Sequence, residues 1–502
     1  MIFNIIASYF FVILTMQGQK KYQEKLFLSF QLSDRIPIDN FYRRLKDALD
    51  LSFISQQTSQ YYGSEGQKSI DPIVFFKLML IGYLENFNSD RKIIEHASMR
   101  MDMLYFIGYD IDERLPWHST LSRTRQLYGE ELFLEVFRKV LSLCIKNGMV
   151  SGRRQAVDSA LVKANASMDS IIPKELTIDT ANYLKELTEN EEEENPLQKD
   201  KKQKTSMSNR NWTSPTDPDA RISKKKHKPL QLNYAGQISV DTHSHVICGA
   251  MADFANKRDA MTLPTLVDQV CENLQKEGIQ LEEVLADTNY SSGDALRYLE
   301  NKAIGGYIPC YGPYKNKRED FIYNKEEDCY VCSQGKKLPF KKYIDRKCNG
   351  KNKVYYSSRI DCKDCPQKTK CLGKMKIKYL MDTVDKPYYD QMYERVKTKK
   401  GKQMKTLRSS TVEPVLGTLL HFLGMRKVYT KGIKLANKHV LMASTAYNIK
   451  KLLKFKGVNY AQSGIKKLEK AHKCLNNQLF DFFLTKITCF LAQLKGQSLF
   501  IA

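Results

Sequence analysis

From Gln155 onward the chain alternates short, apolar, β-branched runs with helical stretches, and that order restricts its fold more than any other feature. Ala156-Val157-Asp158-Ser159-Ala160-Leu161-Val162 reads as a strand. Two more strands are predicted over Leu230–Asp241 and Val246–Asp253, with His243 and His245 near the turn between them. A His-x-His pair can ligate metal, but on a strand it more often marks one polar face. A helix is predicted over Leu263–Lys276, a strand ends at Val284-Leu285-Ala286-Asp287, a helix covers Asp294–Lys302, and Gly305-Gly306-Tyr307-Ile308 leads into a last strand. Strand, hairpin, helix, strand, helix, strand is an α/β order, and it requires a mixed sheet.

Residues 30–150 read as helical instead. Asp71-Pro72 supplies an N-cap followed by proline at the first helical position, and Val74, Phe75, Leu78, Met79 and Tyr83 recur at helical spacing. A second helix fits Asp90 to Met99. After the break at Leu115-Pro116-Trp117-His118, Ser119 or Thr120 can cap a helix carrying Leu121, Arg123, Arg125 and Leu127. Short helices with a basic one after a turn suit a helix-turn-helix DNA reader, with Arg123 and Arg125 as the contacts. An all-helical packing domain whose arginines are merely solvated fits the same pattern.

The chain has 502 residues, enough for several domains, and 42% of them are hydrophobic, enough for a sizeable core. Its formal net charge of +24 points to a polyanionic partner, most simply nucleic acid. Residues 1–15 are almost wholly apolar, but no Lys or Arg precedes them, no small-x-small cleavage site follows, and a membrane span needs roughly 20 residues. They are expected to be an upstream extension of a reading frame that starts at Met16. No membrane association is expected. Residues 185–229 carry an acidic block at Glu191 to Glu194 and lysine-rich stretches around Lys199 and Lys224, as a solvated linker would.

Of twelve cysteines, Cys144, Cys248, Cys271, Cys310, Cys474 and Cys489 are scattered singly, as reduced core residues would be. The other six crowd between Cys329 and Cys371. Cys329-Tyr-Val-Cys332 and Cys362-Lys-Asp-Cys365 are two C-x2-C pairs able to hold a structural Zn²⁺, with Cys371 or Cys348 as alternative ligands. The expectation is a zinc-ribbon-like insertion over residues 326–375.

Two aspartates follow short apolar strands, where a carboxylate protrudes from rigid backbone: Asp158 and Asp287. Glu413-Pro414 opens a segment read as helix, preceded by Lys397, Lys399, Lys400, Lys402, Lys405 and Arg408. Three such oxygen ligands can hold two Mg²⁺ (or Mn²⁺) about 3.5–4 Å apart for in-line displacement at phosphorus. The basic run would hold a DNA strand beside them. No Ser-His-Asp arrangement, phosphate loop or dinucleotide fingerprint competes with this reading.

The residues resemble a family, the DDE transposases of bacterial insertion sequences. Leu115-Pro-Trp-His-Ser-Thr-Leu-Ser-Arg123 is similar to an element of that family's helical N-terminal domain. Val157-Asp158-Ser159-Ala160-Leu161-Val162-Lys163-Ala164-Asn165 resembles its first-aspartate strand, Ala286-Asp287-Thr288-Asn289-Tyr290 its second, and Arg408-Ser-Ser-Thr-Val412-Glu413-Pro414-Val415-Leu416-Gly417 its glutamate signature. Gly432, Ala443, Asn448, Lys450 and Leu452 fit its closing helix. The resemblance covers residues 16–456. It implies an α/β ribonuclease H-like mixed-sheet core over 151–325 and 376–456, interrupted by the insertion and preceded by an all-α, DNA-binding domain over 16–150. It further implies Asp158, Asp287 and Glu413 as metal ligands. Leu420, followed by His421, stands where many relatives carry a lysine, so Arg426, Lys427 or Lys431 would take over the phosphate contact. A helical tail over 457–502 resembles nothing further.

The implied function is a cytoplasmic, nucleoid-associated transposase that acts as a homo-oligomer on double-stranded DNA. It would bind terminal inverted repeats, cut with water as nucleophile, and join the freed 3′-OH to target DNA. A metal-dependent nuclease without strand transfer, and an inactive zinc-containing DNA-binding regulator, fit the same residues less fully.

Overall fold

The computed structural model describes residues 29–63, 65, 69–174, 207–224, 229–312, 314, 318, 320–345 and 350–455. The expectations for residues 1–15, for the 457–502 tail and for Cys348 lie outside them.

The helical region is built around Pro72–Leu84. Asp71 caps it by accepting from Ile73 N at 2.7 Å, with Pro72 in the first turn, and Phe75, Phe76, Leu78, Leu80 and Ile81 are all buried. A helix apolar on most sides must lie at the centre of a bundle. Ser89 caps Asp90–Met99 through Lys92 N at 3.3 Å. The helix carrying Arg123 and Arg125 runs His118–Leu127, two or three residues earlier than a Ser119 or Thr120 cap would allow; Trp117 precedes it and offers no capping side chain. Between Met101–Ile107 and this helix lies the irregular segment 108–117. That is longer than the roughly three- to four-residue turn of a helix-turn-helix.

The central sheet is mixed. Strand β1 (Arg154–Lys163) is followed by three short strands, β2 (Ile172–Pro173), β3 (Trp212–Thr213) and β4 (Arg221–Ser223). Then come β5 (Gln231–Asp241), β6 (Ile247–Phe254), β7 (Glu283–Leu285) and β8 (Gly305–Tyr307). Spatially β5 lies between β1 and β6, antiparallel to both, while β7 and β8 extend the other side of β1 in parallel. Strands β5 and β6 fall on the segments expected over Leu230–Asp241 and Val246–Asp253. One continuous core joins sheet and helical region, from Tyr42 through Val157, Ile238 and Val284 to Leu453.

Strand β6 leaves part of its main chain without a strand partner, and side-chain amides cover it. Gln269 Oε1 accepts from Ala250 N and Asn437 Oδ1 from Ala252 N, each at 2.9 Å. Asn448 accepts from Ile247 N at 2.9 Å and donates to Ile247 O at 2.8 Å. Buried backbone groups need partners, and an open edge invites pairing with another chain.

The expected linker is partly structured. In its described portion, 207–224, Asp217 is fully buried and accepts from Tyr234 Oη at 2.7 and 2.8 Å and from Gly432 N at 3.1 Å. Asp219 accepts from Ile433 N at 3.0 Å. Two carboxylates thus meet the first N–H groups of the closing helix over 433–455, where its dipole favours negative charge.

That helix also carries His439, whose Nδ1 lies 2.8 Å from Tyr83 Oη. Burial, reinforced by Arg125, pushes its pKa down to about 4. In the unfolded chain an imidazole takes its proton near pH 6.5, so stability is complete above that value and is lost as the pH falls towards 4. Between pH 7 and pH 5 the expected loss from this group is about 2 kcal/mol. Denaturant titrations of the protein and of His439→Gln at both values check it: equal slopes with pH would remove His439 as the cause.

The region after β8 forms its own five-stranded antiparallel sheet. Its strands are β9 (Phe321–Asn324), β10 (Cys329–Cys332), β11 (Lys337–Asp345), β12 (Lys351–Tyr356) and β13 (Tyr379–Thr383), hydrogen-bonded in order β13-β12-β11-β10-β9. A small core of Phe321, Tyr330, Leu338, Tyr355 and Leu380 holds it. Lys386–Lys397 follows and turns sharply at Thr398 into the long helix Lys399–Phe422. Only glycine fits at 401, because a Cβ there would meet Arg395 O at 2.4 Å and Val396 O at 2.5 Å. Among the described residues no helix is long and apolar enough to cross a membrane.

Candidate active site

Register brings the two aspartates together. Strands β1 and β7 pair in parallel, ending with Ala156 opposite Leu285, and Asp158 and Asp287, each two residues beyond that pair, lie close enough for the charge of Asp287 to act on Asp158. Asp158 Oδ1 accepts from Ser159 N at 2.8 Å. Asp287 caps the short helical turn Thr288–Tyr290, accepting from Asn289 N at 2.9 Å and from Asn289 Nδ2 at 3.2 Å. Burial raises both carboxyls above the ordinary range; Asp287 pushes Asp158 further up, and Asp259 does the same to Asp287.

Glu413 comes in from the Lys399–Phe422 helix, but not from its beginning. The helix starts well before it, with Thr398 accepting from Gly401 N at 2.9 Å, so Glu413 and Pro414 sit in its interior. A proline there removes one helical hydrogen bond. Pro414 and Ser410 are both exposed, so water can serve the carbonyl left over.

Arg408, expected to touch DNA, instead ties the acids together. Its Nη1 donates to Asp158 Oδ2 at 2.9 Å and its Nη2 lies 3.6 Å from Glu413 Oε1, with only 13% of the side chain exposed. Its charge also lowers the Asp287 carboxyl. The lysines of the same helix are different: Lys399, Lys402 and Lys405 are exposed, and Lys400 pairs with Glu283 while remaining half-exposed. Arg426 is exposed and Lys427 half-buried near Tyr429, on the segment whose backbone pairs with Lys163 at the end of β1.

The donor set of Asp158, Asp287 and Glu413 suits a hard divalent cation, since all are carboxylate oxygens and two are held where burial penalises their charge. Among the described residues, no three His, Cys, Asp or Glu side chains are close enough to hold one ion as they stand. Arg408 occupies part of the space between the acids.

Arg123 and Arg125 part company. Arg123 is exposed and donates to Ser119 Oγ at 3.1 Å, whereas Arg125 is largely buried and pairs with Asp90 at 2.5 Å. Helical spacing explains the correction: Arg125 lies four residues after the buried Leu121 and shares its face.

The cysteines do not converge as expected. Cys329 and Cys332 lie three apart on a regular ladder strand, which points them to opposite faces. Cys329 Sγ meets Glu327 Oε2 at 3.5 Å, and Cys362 Sγ meets Ser357 Oγ at 3.1 Å. Cys332 and Cys371 pack against the small apolar core, and Cys365 is half-buried. This arrangement does not fit Zn²⁺ at Cys329, Cys332, Cys362 and Cys365, and the module is held by its tyrosine-rich core. His243 and His245 lie in the β5–β6 turn, which Asp241 organises by accepting from His243 N and Ser244 N, each at 3.1 Å.

Comparison with known proteins bears on the family. Residues 30–127 match the Transposase domain (DUF772), and residues 331–453 match the Transposase DDE domain. No curated protein matches the chain. Among solved structures, the cryo-EM structure of a piggyBac transposase synaptic complex with hairpin DNA aligns over 84% of this chain and 75% of its own, at 10% identity and a TM-score of 0.29, too loose a likeness to argue from. Glu413 lies within the DDE match, while Asp158 and Asp287 lie between the two matched segments. A transposase domain in the helical region and a DDE transposase domain spanning the Glu413 helix and the closing helix together support a DDE transposase.

Proposed function

We propose that the protein binds the terminal inverted repeats of a mobile element, cuts the DNA there and joins the freed 3′-OH to target DNA. Asp158, Asp287 and Glu413 would hold two Mg²⁺ or Mn²⁺ ions, which offset charge at the phosphate and lower the pKa of an attacking water. The observation that carries the reading is the placement of Asp158 and Asp287 two residues beyond the last β1–β7 pair, with Arg408 bonded to Asp158, 3.6 Å from Glu413 and acting on Asp287. The strand order β6-β5-β1-β7-β8 supports a ribonuclease H-like core for this site. Exposed Lys399, Lys402, Lys405 and Arg426 would track the DNA backbone, and a homo-oligomer would bring two ends together in the cytoplasm on the nucleoid.

The test is incubation with Mg²⁺, a supercoiled target plasmid and duplexes taken from the DNA flanking the gene. Joined products are expected. Cleavage without joining would leave a nuclease, and stable binding without products in either Mg²⁺ or Mn²⁺ would leave a regulator.

The two arginines of the helical domain should separate in the same assay. Arg123→Ala is expected to weaken end binding and reduce its salt dependence by about one released counterion, with unchanged stability. Arg125→Ala strands Asp90 in a largely buried pair and should cost about 3 kcal/mol of stability. Equal affinity for Arg123→Ala and the parent would move recognition off this helix.

A further inference from the structure

The acids of the proposed site already hold a cation that belongs to the chain itself. Arg408 Nη1 donates to Asp158 Oδ2 at 2.9 Å while its Nη2 lies 3.6 Å from Glu413 Oε1. The other oxygen of Asp158, Oδ1, accepts from Ser159 N at 2.8 Å, so both oxygens are engaged. Only 13% of the Arg408 side chain and 19% of the Asp158 side chain are exposed. Among the described residues no other cation pairs with Asp158 or Glu413. One planar group thus joins acids from β1 and from the Lys399–Phe422 helix, as the fixed fork of guanidinium donors allows.

Charge decides whether that arrangement can persist once metal binds. Three carboxylates and one phosphate of a bound strand carry as much negative charge as two divalent ions carry positive. A guanidinium left among them would be a surplus positive charge in a partly desolvated site, where like charges repel strongly. It also takes an Asp158 oxygen that an ion would need. Without any counter-charge, on the other hand, the acids repel one another, and burial already disfavours the charged forms of Asp158 and Asp287. A cation is therefore needed in the free protein and is in the way in the loaded one.

We infer that Arg408 is an internal counter-cation that fills the metal site of the free protein, and that its pair with Asp158 and metal binding exclude each other. The inference rests on the assignment of Asp158, Asp287 and Glu413 as metal ligands. Arg408 is then a positioning residue: it keeps the acids gathered until ions replace it, and it sets how tightly those ions bind.

The experiment uses the full chain without DNA. Mn²⁺ binding is followed by the electron paramagnetic resonance of the free ion, and binding at the site is the part that Asp158→Asn loses. Arg408→Gln should bind Mn²⁺ on the order of tenfold more tightly than the parent, the size of a typical coupling between two ligands. Arg408→Lys, which keeps the charge, should stay within about threefold of the parent. An arginine that merely braces the acids predicts the opposite, weaker binding in Arg408→Gln. A second measurement needs no variant to fold: phenylglyoxal modification of the parent, read by mass spectrometry on the peptide carrying Arg408, should be slow in EDTA and several-fold faster in Mg²⁺. Unchanged or weaker Mn²⁺ affinity in Arg408→Gln, or an Arg408 equally reactive in EDTA and in Mg²⁺, would overturn the inference. No Asp158-dependent Mn²⁺ binding in the parent or in Arg408→Gln would instead remove the metal site, and the proposed function with it.

Discussion

Asp158→Asn, Asp287→Asn and Glu413→Gln are each expected to lower cleavage and joining by on the order of 10⁴-fold or more while DNA-end binding persists. An amide keeps the shape of the carboxylate and loses the charge that offsets a divalent cation. Because any one ligand lost disables a shared site, the double variant Asp158→Asn/Glu413→Gln should be no worse than either single one. The fold should survive. Asp287→Asn retains an oxygen to accept from Asn289 N, so the cap stays. Burial raises the carboxyl of Asp287 above its unfolded value, so the charged form costs stability progressively as the pH rises through that window. At neutral pH the amide removes that cost, and Asp287→Asn should unfold no earlier than the parent. Asp294, 71% exposed and 3.7 Å from Arg297, is the matched control. If Glu413→Gln joined DNA normally while Asp294→Asn did not, the assignment would fall.

What the sequence made legible is what depends on local pattern. The β-branched run around Asp158, the apolar run before Asp287 and the Asp71-Pro72 start each produce their element almost wherever the chain goes next. What it hid depends on where elements land. Arg408 looked like one more cation in a basic run, and only the placement of its helix across β1 turns its guanidinium onto Asp158. Asp217 sat in an apparently solvated linker, yet it anchors the closing helix through Gly432. The cysteine pairs misled for another reason: a C-x2-C spacing needs a turn to converge, and the tyrosine-rich core around Tyr330 and Tyr355 recruits Cys329–Cys332 into a strand. The four-residue step from Leu121 to Arg125 already placed that arginine on the buried face.

Asn448 should be the costliest single polar residue to lose from the closing helix. It is fully buried, and its amide satisfies both the N–H and the carbonyl of Ile247 on β6. Asn448→Ala leaves two buried backbone groups without partners, at about 1–3 kcal/mol each, for a total loss of roughly 2–6 kcal/mol. Asn448→Asp does not rescue it, because a carboxylate accepts from Ile247 N but cannot donate to Ile247 O, and it brings an unpaired charge into the core. Gln269→Ala removes a single bond, to Ala250 N, from a half-buried position, and should cost about 1 kcal/mol. Denaturant unfolding of the three variants, followed by a probe of β-structure, orders them. A loss below about 0.5 kcal/mol for Asn448→Ala would mean that water reaches Ile247 and that the edge is not sealed. The expected order matters for the site as well, because β6 supports β5, β5 supports β1, and β1 holds Asp158 against Asp287. A loosened β6 should therefore lower catalysis before it unfolds the chain.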